Sequence, residues 1–196
     1  MYGNALEAAS ERGDDQVVRM LLDKVADVNA QGGRYGNALQ AASSRGHDQV
    51  VRMLVDKGAD VNAQGGRYGN ALQAASSSGH DQVVRMLLDK GADVNAQGGR
   101  YGNALQAASS RGHDQVVQML IDKGADVNAQ GGRYGNVLQE ASERGHDRVV
   151  RMLLDKGADV NAQGGKYGNA LQAASERGHD QVVRMLLDKG ADVNAQ

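Results

Sequence analysis

Hydrophobic positions along this chain fall into two blocks, and the pair of blocks returns every 33 residues. Between Tyr35 and Arg67 the first block is Ala38, Leu39, Ala41 and Ala42, and the second is Val50, Val51, Met53, Leu54 and Val55. The first has high helix propensity. It follows Asn37, whose side-chain oxygen suits the free amides of a first helical turn. Gly46 predicts its end, since glycine tolerates the left-handed conformation that closes a helix. Asp48 then stands where a second helix starts, favoured by the helix dipole. The apolar residues of that helix form two adjacent stripes at i, i+3 and i+4, and Gly58 predicts its end. Asp48, Arg52 and Asp56 lie four apart, which predicts ion pairs along a solvated face. Gly65-Gly66 is a hairpin-type turn signal. The unit is helix, turn, helix, extended loop.

Six copies of the unit open at Tyr2, Tyr35, Tyr68, Tyr101, Tyr134 and Tyr167, and the sixth runs to Gln196. A fixed period of this length marks a solenoid or propeller. One unit cannot bury its own apolar face: Ala42, Val50 and Leu54 need Leu72, Val83 and Leu87 of the next. Stability therefore resides mainly in the boundaries between neighbours. The repetition also bears on function. A catalytic centre is one unsymmetrical cluster, whereas a residue repeated six times makes a ladder, and a ladder makes a surface. No carboxylate is paired with a His, Ser or Lys in a way unique to one repeat, so the chain reads as non-enzymatic.

Composition narrows this further. There is no Cys, which excludes disulfides, thiol catalysis and Cys-based zinc sites. Pro, Phe and Trp are absent too, so the core must be built from small aliphatic side chains and Met. No apolar run approaches the roughly 18 residues of a membrane span, and Met1 is followed by the first repeat rather than a signal peptide. These features predict an intracellular, cytoplasmic protein with no membrane contact. The formal net charge of −2 argues against a general nucleic-acid binder. The loop Q-G-G-R-Y-G-N lacks the phosphate-loop pattern, and even Gly164-Gly165-Lys166 is followed by Tyr167. His47, His80, His113, His146 and His179 form a column, but helices stacked about 8–10 Å apart cannot bring neighbouring members to one ion. The expected role of these histidines is to bridge repeats by hydrogen bonds. No metal and no cofactor are expected.

A second column is basic. Arg34, Arg67, Arg100, Arg133 and Lys166 each precede a tyrosine, the last four of these being Tyr68, Tyr101, Tyr134 and Tyr167. Two readings stay open. The column is a basic and aromatic ridge suited to an acidic or planar partner, or the tyrosines pack between loops and the basic groups are merely solvated.

The repeated words N-A-L-Q-A-A, G-H, V-V, M-L and G-A-D-V-N-A resemble the ankyrin repeat, whose pattern reads T-P-L-H-x-A-A, G-H, V-V, L-L and G-A-D-V-N-A over the same length. The resemblance covers the whole chain. It implies an all-α repeat fold: a right-handed solenoid of paired antiparallel helices with β-turn fingers, forming one domain over 1–196 with repeats 2–34, 35–67, 68–100, 101–133, 134–166 and 167–196. There are two departures. Asn37 and Gln40 stand where the family has Thr and His, and the proline at the first helical position is lost. In the finger a tyrosine replaces the turn glycine, so the positive φ angles are expected at Gly65, Gly66 or Gly69.

The resemblance implies a module for protein–protein interaction. Family contacts come from finger tips and from the exposed end of the first helix. Carried onto this sequence they fall on the Arg–Tyr column above and on Ser44, Arg45, Ser77, Ser78, Ser110 and Arg111, with Glu11, Glu143 and Glu176 where Ser gives way to Glu. That Ser/Glu column is the candidate for tuned recognition on the concave face. The wording N-A-L-Q-A-A-S with K-G-A-D-V-N-A-Q-G-G looks most like ankyrin arrays of filamentous fungi, often the sensor end of larger NLR-like intracellular receptors. A spacer array, or a consensus-designed scaffold without a ligand, is the alternative. Fourteen positions depart from the common repeat. All but the three Ser→Glu changes are reachable in one nucleotide step, which favours recent duplication over design. Neither end carries a polar capping repeat. Head-to-tail self-stacking is expected, through the Leu6 and Val17 side of the first repeat and the Leu186 and Leu187 side of the sixth.

Overall fold

The computed structural model describes residues 3–131 and 135–195. These fold into helix pairs stacked side by side. The inner row is α1 (Ala5–Arg12), α3 (Ala38–Arg45), α5 (Ala71–Ser78), α7 (Ala104–Ser109), α9 (Val137–Arg144) and α11 (Ala170–Arg177). The outer row is α2 (Asp15–Asp23), α4 (Asp48–Asp56), α6 (Asp81–Asp89), α8 (Asp114–Asp122), α10 (Asp147–Asp155) and α12 (Asp180–Asp188). Each inner helix packs against the inner helices of adjacent repeats and its own outer partner. A two-residue ladder, β1 (Gln130–Gly131) with β2 (Gly135–Asn136), forms the base of one finger. Matching bridges Gly32–Gly36, Gly65–Gly69, Gly98–Gly102 and Gly164–Gly168 form the bases of the others.

The local causes are those the pattern predicts. Asn4, Asn37, Asn70, Asn103, Asn136 and Asn169 cap the inner helices, each accepting from the amide three residues on. Gly46 ends α3 at φ 73° and donates back to Ala42 and Ser43. It is glycine for a second reason: a Cβ there would sit 2.5 Å from the His80 ring of the next repeat. Histidine Nε2 meets a carbonyl of the preceding repeat at His47–Glu11 (3.0 Å), His80–Ser44 (3.3 Å), His146–Ser110 (3.4 Å) and His179–Glu143 (2.9 Å). Bridging between repeats is thus what these four histidines do. The first repeat has no preceding neighbour in the structure, and there Asp14 caps its own helix through Val17 N at 3.1 Å.

The core is a continuous sheet of Leu, Val and Ala running through every boundary; Leu39, Leu54, Leu72, Leu87, Leu105 and Leu120 are fully buried. Two details differ from the sequence-based expectation. The Asp48–Arg52 and Arg52–Asp56 pairs do not form. The ion pairs of the outer row instead run between repeats, as in Lys57–Asp23 at 3.4 Å and Lys123–Asp89 at 3.1 Å, because the lysine after each helix reaches back toward the preceding one. Leu6 and Leu186, expected on the open faces, are 3% and 0% exposed. Among the described residues, the large apolar side chains that do lie open are Met20, Val25, Leu187 and Val193.

Candidate recognition surface

The fingers are built by glycine. Gly65, Gly66 and Gly69 all take positive φ, at 150°, 59° and 101°, and among the described residues Val25 alone does so without being glycine. Gly65 N donates to Gly69 O at 2.8 Å and closes the finger. A Cβ on Gly66 would run into the Tyr35 carbonyl, so adjacent fingers touch backbone to backbone. The amide of Arg67 donates to the Arg34 carbonyl, and that of Arg100 to the Arg67 carbonyl, both at 3.2 Å. Gln40 completes the tie: its Nε2 donates to Ala63 O of its own finger at 3.0 Å and to Gly69 O of the next at 3.5 Å. Gln in place of the family's His therefore keeps a bridging role.

This close stacking brings two tyrosines of the Arg–Tyr column together. The Tyr35 and Tyr68 rings stack with centroids 6.3 Å apart and planes 18° from parallel. A cation lies over each ring: Arg34 over Tyr35 at 5.7 Å, Arg67 over Tyr68 at 4.9 Å, Arg100 over Tyr101 at 5.0 Å and Lys166 over Tyr167 at 4.7 Å. Tyr35 and Tyr101 are buried and Tyr68 and Tyr167 half-buried between fingers, whereas Arg34, Arg100 and Lys166 are exposed and Arg67 half-exposed. Arg133 and Tyr134 lie outside the described residues.

The Ser/Glu column occupies a different place from that implied by the resemblance. Ser44, Ser77 and Ser110 are buried, and each hydroxyl donates back to its own helix, to Ala41, Ala74 and Ala107. Glu143 is 5% exposed. The cover comes from the next repeat. Tyr167 Oη donates to Glu143 Oε1 at 2.9 Å, and Arg177 donates to the same oxygen at 2.6 Å. Glu11 repeats the arrangement with Tyr35 at 2.9 Å and Arg45 at 2.6 Å. The Arg45 hydrogen bond holds the Glu11 carboxyl below the usual range against the pull of burial, with Tyr35 helping. Burial pushes Glu143 up, but Arg177 and Tyr167 outweigh it and its carboxyl also sits low. Tyr35 is raised, by burial first and by Glu11 second. Where the column is Ser, the arginine turns to the tyrosine directly, as Arg111 does to Tyr101 Oη at 3.2 Å. Ser78 carries no arginine and stands half-buried; Glu176, on the last inner helix, is exposed.

These clamps escaped the sequence reading although their signal was present: a tyrosine 24 and an arginine 34 residues after the glutamate, twice over. Glu140 escaped it as well. It replaces the alanine of the other repeats, is 3% exposed, and burial raises its carboxyl to about 7, against the opposing pull of Arg144. Among the described residues no group of His, Asp or Glu has the arrangement of a metal site, and no helix is long and apolar enough to cross a membrane.

The sequence matches the family described as ankyrin repeats (three copies) over residues 5–98, 66–131 and 105–196. The chain belongs to the ankyrin-repeat family. Among solved structures it is similar to the human ASB11 ankyrin repeat domain, with a TM-score of 0.86 and 25% identity over 98% of this chain and 86% of that one. It is similar also to an ankyrin repeat domain from Acinetobacter baumannii AYE, with a TM-score of 0.81 and 30% identity over 95% and 98% of the two chains. No curated protein matches. Ankyrin repeats are generally protein–protein interaction modules, and the fold is typically a non-catalytic scaffold.

Proposed function

We propose that the finger ridge binds an extended acidic peptide, with Arg34, Arg67, Arg100 and Lys166 as the groups that meet it. The observation behind this is the 6.3 Å interval between Tyr35 and Tyr68, each with a cation over its ring. An extended peptide repeats the side chains of one face about every 6.6 Å, twice its rise per residue. Carboxylates at alternate positions would then fall in register with successive cations. Guanidinium groups suit this role because their fork matches a carboxylate, and stacking on tyrosine limits the freedom lost on binding. The half-exposed edges of Tyr68 and Tyr167 add apolar contact. Arg45 and Arg111 line the concave side below, with Ser44, Ser77, Ser110 and Glu143 held under the fingers as support. Glu11 keeps Arg45 in place, and Glu176 is the one open carboxylate of its column.

The module so described is non-enzymatic and fits the ligand-sensing part of a larger intracellular receptor of the fungal NLR-like kind, a reading that rests on the N-A-L-Q-A-A-S wording. Finding a nucleotide-binding domain in the same reading frame tests that context. The binding itself is tested by fluorescence polarisation with a labelled peptide of alternating Asp. Arg67→Gln is expected to weaken it by roughly tenfold, the share of one charge-assisted pair. Equal binding to Arg67→Gln, or equal displacement by an RNA of matching charge, contradicts the peptide reading. Absence of saturable binding to any acidic peptide favours a spacer array.

A further inference from the structure

We propose that Tyr101 and Arg111, with Arg100 beside them, form a binding site for one carboxylate group, the side chain of an aspartate or glutamate carried by a partner. The chain itself shows what such a site holds. At two other boundaries a glutamate sits on the equivalent pair. Glu143 Oε1 accepts from Tyr167 Oη at 2.9 Å and from Arg177 at 2.6 Å, and Glu11 Oε1 accepts from Tyr35 Oη at 2.9 Å and from Arg45 at 2.6 Å. In both, the tyrosine stands 24 and the arginine 34 residues after the glutamate. Counted back from Tyr101 and Arg111, that position is Ser77. Its side chain is too short to reach the pair, and its hydroxyl donates to Ala74 O of its own helix at 3.0 Å.

The donors are nonetheless assembled. Arg111 donates to Tyr101 Oη at 3.2 Å, as Arg177 does to Tyr167 Oη at 3.0 Å. α7 ends at Ser109, earlier in its repeat than α3 and α11 end in theirs, so Arg111 reaches the tyrosine from the turn that follows the helix. Tyr101 is buried, and its hydroxyl proton has no acceptor among the described residues. Arg111 is exposed, so the pair is approached from the concave side past the guanidinium.

The charge around each ring sets Tyr101 apart from the other described tyrosines of the column. Tyr35 has Arg34 and Arg45 beside it, with Glu11 against them. Tyr167 has Lys166 and Arg177, with Glu143 against them. At Tyr68 the second cation is gone, because Ser78 replaces the arginine, and Arg67 lies over the ring alone. Tyr101 keeps both cations, Arg100 over its ring at 5.0 Å and Arg111 at its hydroxyl, and has a serine in the glutamate position. Glu140 acts on Arg111 only through space, as the least of the influences on it. A carboxylate placed here gains charge-assisted hydrogen bonds from groups already held in position, which limits the freedom lost on binding. The site stands on this comparison between boundaries and does not rest on the peptide reading of the ridge.

The test is a nuclear magnetic resonance titration of the 196-residue chain with acetyl-glutamate α-amide, whose one charge is its side-chain carboxylate, set against sodium chloride at equal ionic strength. The Arg111 Nε and Tyr101 ring resonances should shift saturably, with half-saturation at roughly tens of millimolar, the scale of one charge-assisted pair. Arg111→Gln, a surface change, should weaken the response by roughly tenfold or more. Ser77→Glu should abolish it, because its own carboxylate then takes the pair. Glu143→Ser should create a second response, at Tyr167 and Arg177. No saturation beyond that produced by chloride, an undiminished response in Arg111→Gln, a folded Ser77→Glu that still responds, or no new response in Glu143→Ser would each overturn the proposal.

Discussion

At the scale of single residues, the departures from the common repeat are the experiments already written into the chain. Val25 occupies a helix-ending position where the other repeats have glycine at φ 85° to 88°. A β-branched side chain is strained there and, being 91% exposed, gains nothing from packing. Val25→Gly is expected to stabilise the protein by about 1 kcal/mol, partly offset by the freedom glycine adds to the unfolded chain. Thermal unfolding would show it as a midpoint raised by about 2–4 °C; a lower midpoint contradicts it. This residue was legible from the sequence, because a glycine column makes a valine conspicuous. Glu140 was not, since its column, that of Ala41, belongs to the apolar block but an alanine there does not say how completely the position is enclosed. Its carboxyl is raised from 4.5 to about 7, so between those values the native state holds more protons than the unfolded state. Stability must then fall as pH rises through that window, by about 3 kcal/mol in total. Glu140→Ala should remove this slope and be the more stable protein above pH 7. Urea titrations at the two ends of the window measure it, and an unchanged slope counts against the burial of the charge.

At the scale of elements, the helices and their ends follow from local rules, and the finger and the clamps follow from neighbours. Asn37 and Gly46 bound α3 by capping, which needs no knowledge of the rest of the fold. The finger could be narrowed only to three glycines, because its shape depends on Gly66 lying against the Tyr35 carbonyl of the preceding finger. The Ser/Glu column was misplaced for the same reason. Glu11 looks exposed on its own helix, and its cover, Tyr35 and Arg45, arrives from the next repeat. Tyr35→Phe deletes one hydrogen bond of that clamp and should cost about 1 kcal/mol at neutral pH. Because the Glu11 carboxyl is held low in the folded state, the clamp stabilises above the ordinary glutamate range and fades as pH falls through the folded value. The loss on Tyr35→Phe should therefore shrink in acid. A loss that is independent of pH would assign Tyr35 to packing alone.

At the scale of the molecule, the protein is a row of similar boundaries with no single centre. Deleting residues 68–100 joins two repeats that already present matching faces, so the shortened chain should fold. Its urea m-value should drop by about a sixth, with a lower midpoint; a chain that fails to fold would show that the boundaries are not interchangeable. The same one-dimensional order bears on the proposed recognition, because cations placed at the interval of Tyr35 and Tyr68 would have a preferred ligand period. The measurement that tests this most directly compares two peptides of equal length, composition and charge, one with Asp at alternate positions and one with the same Asp residues in a block. The account predicts that the alternating peptide binds more tightly by roughly tenfold or more, and that this preference disappears in Arg67→Gln. Equal affinity for the two peptides would mean that the ridge attracts charge without reading its spacing, and would contradict the account.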